Sequence, residues 1–368
     1  MEDALVSTAT IAWLAFAIGG LFGFIGNKTH FCTLGAVSDI INIGDWGRMR
    51  MWLLAIATAI LGTAALQLAG LFDPAKTIYT GSRLIWLSHL VGGLLFGVGM
   101  VLSSGCGSKT LIRLGGGNLK SLVVFTFLAI GASMTLRGLT GVWRVRFLDS
   151  VNVELGHSQT IPAFLSAAGL APETAVMLAA GGATIVLLAF ALGQRDAWRG
   201  DILLGGLGVG ALIIACWYVT GHLGYVAEHP ETLEEAFIGT NSGRAESLTF
   251  VAPVAYTLEL LQLWSDTSRI VTFGIASVLG VVCGSALCAL LNRSFRIESF
   301  RDSADLVRHI VGGLLMGMGG VTAVGCTIGQ GLSGLSTLAL GSVLTTAAII
   351  AGAIVTMKVQ YWLMMREG

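Results

Sequence analysis

The chain has too little charge to cover a soluble surface. Only 11% of its residues are charged, against about a quarter in an ordinary soluble domain. Lys plus Arg and Asp plus Glu stand at 21 each. The basic residues are scattered, so the chain lacks the basic stripe that a nucleic-acid binder needs. No Cys-x-x-Cys pair occurs among the six cysteines, which argues against a zinc knuckle or a thioredoxin-type redox pair. A nucleotide-binding loop is also missing, and no intramembrane carboxylate stands out as a proton carrier. The opening MEDALVSTAT puts Glu2 and Asp3 where a signal peptide would carry Lys or Arg, so no cleaved leader is read. No catalytic set, cofactor or metal is expected. What is abundant is hydrophobic: 54% of the residues, with 51 glycines and a mean hydropathy of +0.81. The expected surroundings are a lipid bilayer.

A spanning helix needs about 20 apolar residues, and nine runs qualify: 11–26, 50–71, 84–105, 119–141, 173–193, 201–220, 271–292, 307–325 and 338–363. Between them, segments 27–44, 106–118, 221–250 and 326–337 are too apolar or Gly-rich for plain solvent loops. Such backbone survives at membrane depth only if protein buries it or it lines a wet cavity. They are read as re-entrant loops. Glu234 and Glu235, in the third of them, are read as solvated.

One stretch occurs twice. His89–Cys106 reads HLVGGLLFGVGMVLSSGC and His309–Cys326 reads HIVGGLLMGMGGVTAVGC; at an offset of 220 without a gap, eleven of eighteen positions are identical. Each copy ends in Gly-Cys and runs into a polar, Gly-rich segment, GSKTLIRLGGGN or TIGQGLSGLS. A hydrophobic span that stops at such a point looks like a discontinuous helix, where transporters built from repeats place their substrate. Gly93 with Gly97 and Gly313 with Gly317 are read as close helix packing, and His89 and His309 as structural hydrogen-bonders.

Parity sets the arrangement. If spans one to four (11–141) and six to nine (201–363) are two units, the fifth (173–193) carries the chain across once, and the second unit starts on the opposite face. The expected fold is a single transmembrane domain over 1–368, all-α, with about nine transmembrane helices, re-entrant loops and two inverted repeats. Fourteen Lys and Arg fall on one face and seven on the other, which makes the C-terminus cytoplasmic and the N-terminus external. Cys106 and Cys326 then approach from opposite sides. Cys32 joins them, in GFIGNKTHFCTLGAVSD just after the first span. Its place in the second unit is expected near Cys216 and Trp217, where the pattern has diverged. Cys216, Cys283 and Cys288 are read as small apolar fillers.

The Phe31-Cys32 segment with Gly35, the Gly105-Cys106 and Gly325-Cys326 loops, the Gly-Gly-Leu-Leu-x-Gly runs and the Asn292-Arg293-Ser294-Phe295-Arg296 turn resemble the YeeE/YedE family of sulfur-compound transporters, best known as thiosulfate permeases. The resemblance covers nearly the whole chain. It implies nine spans, four inward-dipping loops, inverted halves, and a bacterial inner-membrane location. It also implies that Cys32, Cys106 and Cys326 hand thiosulfate inward through thiol contacts. Relatives carry Gln-Arg ahead of the Phe-Cys pair, where this chain has Asn27-Lys28-Thr29-His30.

The chemistry suits that reading on its own terms. A soft divalent anion needs partial positive charge from helix N-termini and donors that do not hold it tightly, and neutral thiols are weak donors. Lys28, Lys109 and Arg113 would set a potential that draws it in. His30, Gly105, Gly325 and Gln330 complete the expected contacts. A small cytoplasmic sulfur-carrier protein would be a natural sink. Two other readings are weighed: a membrane thiol enzyme that transfers sulfur to, or oxidises, a partner, and a permease for a selenium species or a soft metal.

Overall fold

The structure, a computed structural model, describes residues 6–229 and 233–367; Glu2 and Asp3, which bear on the absence of a leader, lie outside the described residues. The helices are α1 (Thr8–Lys28), α2 (Thr33–Ile43), α3 (Gly47–Leu68), α4 (Trp86–Leu102), α5 (Gly107–Gly115), α6 (Leu119–Arg137), α7 (Leu139–Trp143), α8 (Ile161–Ala167), α9 (Pro172–Leu192), α10 (Gly200–Tyr218), α11 (Ala252–Gln262), α12 (Phe273–Leu291), α13 (Ser303–Thr322) and α14 (Leu340–Glu367). Two antiparallel pairs of two-residue strands lie in the connections. Helices start where the sequence offers a cap. Ser7 Oγ accepts from the Thr10 N–H at 3.2 Å, Asn118 Oδ1 from Ser121 N–H at 3.0 Å and Asp302 Oδ1 from Asp305 N–H at 2.7 Å, each satisfying a donor the first helical turn leaves free.

Eight helices, α1, α3, α4, α6, α9, α10, α12 and α14, carry stretches long and apolar enough to cross a bilayer. The chain is an all-α membrane protein. The remaining expected span, 307–325, is α13, whose Asp305, Arg308 and His309 make it less apolar than the eight. It packs against both α4 and α6, so much of its surface meets protein and not lipid. Trp13, Ile185, Val186, Leu291 and Trp362 are exposed on the outside of the bundle, as a lipid-facing surface requires.

Helix contacts come in pairs that exchange when the helices of the first half are matched in order with those of the second. The partner of the α1–α12 contact is α10–α3; that of α4–α14 is α13–α6; α2–α3 and α2–α14 match α11–α12 and α11–α6. At the centre α4 crosses α13, the two copies of the duplicated stretch. Glycine makes that crossing possible. A Cβ on Gly99 would stand 2.6 Å from the Gly312 carbonyl oxygen, and one on Gly92 would stand 2.7 Å from that of Gly319. Backbone meets backbone there. Gly93 and Gly97 face α14, and Gly313 and Gly317 face α6, the close packing expected of their spacing.

The re-entrant segments are only partly irregular. Segment 27–44 holds α2, 106–118 holds α5, and 326–337 holds a π-helical turn at Gly329–Gly334. Helices α8 and α11 were not foreseen. Glu235 is not simply solvated: its Oε2 accepts from Lys76 Nζ at 2.9 Å, and Lys76 also donates to the Tyr225 hydroxyl at 2.7 Å. Desolvation draws the Lys76 ammonium down, but those two partners outweigh it and leave it raised. The stabilisation is therefore complete through neutral pH and is lost only as pH rises through the lysine range, near 10.4 or above. Lys76→Met should remove that alkaline loss from a pH series of thermal unfolding while leaving the profile below it unchanged in shape.

Candidate functional site

Three spans break in the same way. At the end of α1 the His30 N–H bonds the Asn27 carbonyl at 3.4 Å and the Phe31 N–H bonds that of Gly26 at 3.2 Å. The end of α4 repeats this with Ser104 to Val101 at 3.2 Å and Gly105 to Met100 at 3.0 Å, and α13 with Val324 to Val321 at 3.1 Å and Gly325 to Gly320 at 2.8 Å. This is the Schellman closure, whose turning residue is left-handed and usually glycine. Here it is His30, Ser104 and Val324, with φ of 54°, 56° and 60°. A side chain in that region costs about 1–2 kcal/mol, and for a β-branched valine the conformation is a true outlier. The next residue but one is in each case a relay candidate: Cys32, Cys106 or Cys326.

Each cysteine thereby begins a new turn of helix. The Gly35 N–H donates to Cys32 Sγ at 3.4 Å and the Gly329 N–H to Cys326 Sγ at 3.4 Å; Cys106 holds the same position ahead of α5 without a side-chain cap bond. The three sulfurs sit in the cap position, where N–H dipoles gather partial positive charge. Their S–H groups stay available to donate. The thiols also converge: Cys32 and Cys106 are near enough to interact with one another, and Cys326 with Cys106. Cys106 and Cys326 are fully buried, Cys32 is half-buried, and all three are free. Hydroxyls accompany them. Ser108 Oγ is 3.2 Å from Cys106 Sγ, Thr249 Oγ1 is 3.9 Å from Cys326 Sγ, and Thr327 reaches toward Cys106.

Two cavities approach the thiols from different sides. The larger, about 590 Å³, is lined by His30, Ser104, Lys109, Arg113, Lys120, Arg296 and Arg301 among others, with Glu298 and Asp305 as its carboxylates. Lys120 is tied to Asp305 at 2.6 Å, and Asn118 donates to Glu298 at 2.6 Å; the lining as a whole is strongly cationic. The smaller, about 310 Å³, includes Arg144, Asp149, Thr249, Val251, Tyr256, Val324 and Gly325. Its charge is a single ion pair, Arg144 to Asp149 at 3.2 Å. None of the three cysteines lines either cavity. Residues beside them do: His30, Ser104 and Lys109 line the larger, and Thr249, Val324 and Gly325 the smaller.

The expected contacts divide accordingly. Lys109, Arg113 and His30 share the cationic cavity, and Arg113 Nη1 donates to the Ser104 carbonyl at 2.7 Å, which holds the α4 break. Gly105 lies against Lys109: a Cβ there would be 3.3 Å from Lys109 Cγ. Gln330 donates through Nε2 to the Ala323 carbonyl at 2.7 Å and braces the α13 break, and Gly325 packs on the Gln330 backbone and Cγ. Lys28 does not join them. It is exposed on the last turn of α1 and outside the cavity lining, because helical spacing turns it away from the face that carries Asn27 and His30. His89 Nδ1 pairs with Thr345 Oγ1 and His309 Nδ1 with the Asp305 carbonyl, both at 2.7 Å, and His309 also lines the cationic cavity.

Sequence reasoning missed several neighbours. Arg48 pairs with Asp39 at 2.6 Å and lies against Gly35, next to Cys32; it had been counted only as one of the charges that orient the chain. Thr249 belongs to no motif, so nothing in the sequence pointed to it. Ser108 and Thr327, by contrast, stand inside the segments that follow Cys106 and Cys326. The place of Cys32 in the second half is not near Cys216. By packing, the counterpart of α2 is α11, which has the same 11-residue length, and its cap position is Val251 preceded by Phe250. The intervening connection lengthened, so a search near the end of the sixth span looks too early.

A family model described as Sulphur transport matches residues 28–355. The thiosulfate transporter TsuA of Escherichia coli K12 is 28% identical over 319 residues, covering 85% of this chain and 84% of that protein. A second thiosulfate transporter TsuA, of Spirochaeta thermophila, is 25% identical over 354 residues, 92% of this chain and 96% of the relative.

Proposed function

Because this chain belongs to the Sulphur transport family, a transporter family of the membrane, we propose that it is a permease for thiosulfate, and that Cys32, Cys106 and Cys326 pass the anion across. The observation that carries this reading is the convergence of three thiols at helix breaks whose neighbouring residues line two cavities. An anion crossing from one to the other meets thiol after thiol, each with backbone N–H groups behind it. Sulfur-to-thiol contacts are weak and exchange easily. That suits passage better than storage.

In this reading the Gly325 cavity is the external entrance, the cationic cavity opens to the cytoplasm, and the halves 11–141 and 201–363 are inverted repeats joined by 173–193. The paired helix contacts support it, as does the excess of Lys and Arg on one face. The membrane is then the bacterial inner membrane, with the N-terminus outside and the C-terminus inside. A small sulfur carrier at the cytoplasmic mouth would draw the anion onward. Uptake of labelled thiosulfate into vesicles holding only the purified chain tests the proposal. Accumulation above protein-free vesicles supports it, and its absence in both vesicle orientations sinks it.

One observation favours the enzyme reading: Cys32 and Cys106 are neighbours that interact. The same vesicles separate the two. A permease needs its thiols reduced and keeps working in excess dithiothreitol, whereas a thiol oxidase loses its turnover to the reductant.

The cationic cavity carries its own expectation. Lys109→Met should slow uptake about three- to tenfold at low ionic strength and flatten its salt dependence, since fields of this kind are screened within roughly 10 Å at 0.1 M salt. An unchanged rate and salt profile would make Lys109 a passive lining residue.

A further inference from the structure

We infer that the path reads both ends of its anion: thiols take the soft terminal sulfur, and a parallel set of hydroxyls, Thr249, Thr327 and Ser108 with Thr33, takes the hard oxygens. The inference rests on the proposed thiosulfate reading and deepens it. Thr33 and Thr327 each follow a relay cysteine directly, and each is 2% exposed. Among the described residues neither Oγ1 has a hydrogen-bond partner of ordinary geometry, and Thr327 only approaches Cys106. Other helical threonines avoid that state by bonding the carbonyl four residues back, as Thr58, Thr135 and Thr356 do. A buried donor without a partner is costly. Six hydroxyls among the described residues share that state, four of them, Thr63, Thr184, Ser342 and Thr346, elsewhere in the fold; Thr33 and Thr327 are the two that directly follow a relay cysteine, where the proposed anion passes.

The other hydroxyls extend the row. Thr249 lines the smaller cavity and faces Cys326; a Cβ on Gly329 would come within 3.4 Å of the Tyr79 hydroxyl on that same side. Thr327 points toward Cys106 from the second half, and Ser108 touches Cys106 from the first. The sequence of polar contacts along the path is thus hydroxyl with thiol, repeated. An oxygen of the anion accepts strong O–H hydrogen bonds, while its exposed sulfur is matched by the weaker S–H donor. Sulfate offers no soft end and hydrosulfide offers no oxygen. The class selected is a small tetrahedral oxoanion bearing one exposed chalcogen, which includes thiosulfate and its selenium analogue.

The test is a pair of substitutions at one position. Thr327→Val keeps the shape and loses the hydroxyl; Thr327→Ser loses the methyl and keeps the hydroxyl. In vesicles carrying equal amounts of protein, the valine variant should take up thiosulfate about tenfold more slowly, the loss of one hydrogen bond to a charged group, and the serine variant should stay within about twofold of wild type. Ser108→Ala, at a site where a small residue is easily accommodated, should lower uptake in the same direction. If valine matches wild type, or if serine fails as badly as valine, the hydroxyl row is wrong and the thiosulfate permease stands. If wild type itself takes up nothing, the permease reading has failed first.

Discussion

Replacing Cys106 with alanine should reduce thiosulfate uptake by roughly a hundredfold while leaving the protein in the membrane. Cys106 is the middle thiol, in reach of Cys32 on one side and near Cys326 on the other. An anion arriving there without a donor is a buried charge with an unmet hydrogen bond, a cost of up to about 3 kcal/mol, which is two decades in rate. The side chain lost is small and its cavity is close to that of a methyl group, so folding should be little affected. Cys32→Ala and Cys326→Ala should show the same direction. Cys106→Ser is the sharper probe. It keeps a donor but makes a harder and tighter contact, so uptake should fall between the wild type and alanine values while the KM falls. Cys216→Ala, Cys283→Ala and Cys288→Ala serve as controls that should transport normally. Normal uptake by Cys106→Ala would remove the thiols from the path.

The largest expected change in stability lies at the α4–α13 crossing. Gly319→Ala puts a methyl group 2.5 Å from the Phe96 backbone nitrogen and 2.7 Å from the Gly92 carbonyl, and Gly99→Ala does the same against Gly312 and Met316. Neither obstacle is a side chain that can swing aside. The helices must separate, at about 1–3 kcal/mol per site, and the breaks that carry Cys106 and Cys326 move with them. Thermal unfolding in detergent should show both variants melting earlier than wild type. Gly181→Ala and Gly182→Ala on α9, where nothing lies within 4 Å, should melt with the wild type or slightly later, because alanine favours helix over glycine by up to about 1 kcal/mol. If all four variants melt together, close backbone packing does not hold the centre.

Much of this architecture was legible before any coordinates. Apolar run lengths located the long helices because a bilayer fixes how many residues a helix must bury. The duplicated His89–Cys106 and His309–Cys326 stretches located the centre because repeats that share a sequence share a packing partner. The left-handed turns at Ser104 and Val324 were not legible, since neither residue favours that conformation and only the closure around them imposes it. Lys28 and His30 looked alike as expected contacts near Cys32. Helix geometry sends one outward and the other into the cationic cavity, a difference a stretch read as irregular could not reveal. Thr249 shows the limit most plainly: it reaches Cys326 across 77 positions, a juxtaposition that belongs to the fold alone. Val251 marks a subtler failure, a true counterpart hidden by a connection of unequal length.

That valine changes how the two ends of the path behave. Where one half presents the half-buried Cys32 beside the cationic cavity, the other presents an isopropyl group, 1% exposed and wedged over Gly320. In the proposed permease the conduit would have a lopsided energy profile: a dwell site at one mouth and a greasy threshold at the other. Such lopsidedness cannot pump, because a static protein leaves the equilibrium ratio of anion on the two sides untouched. It decides instead where the traveller waits, and therefore which side saturates first when supply rises.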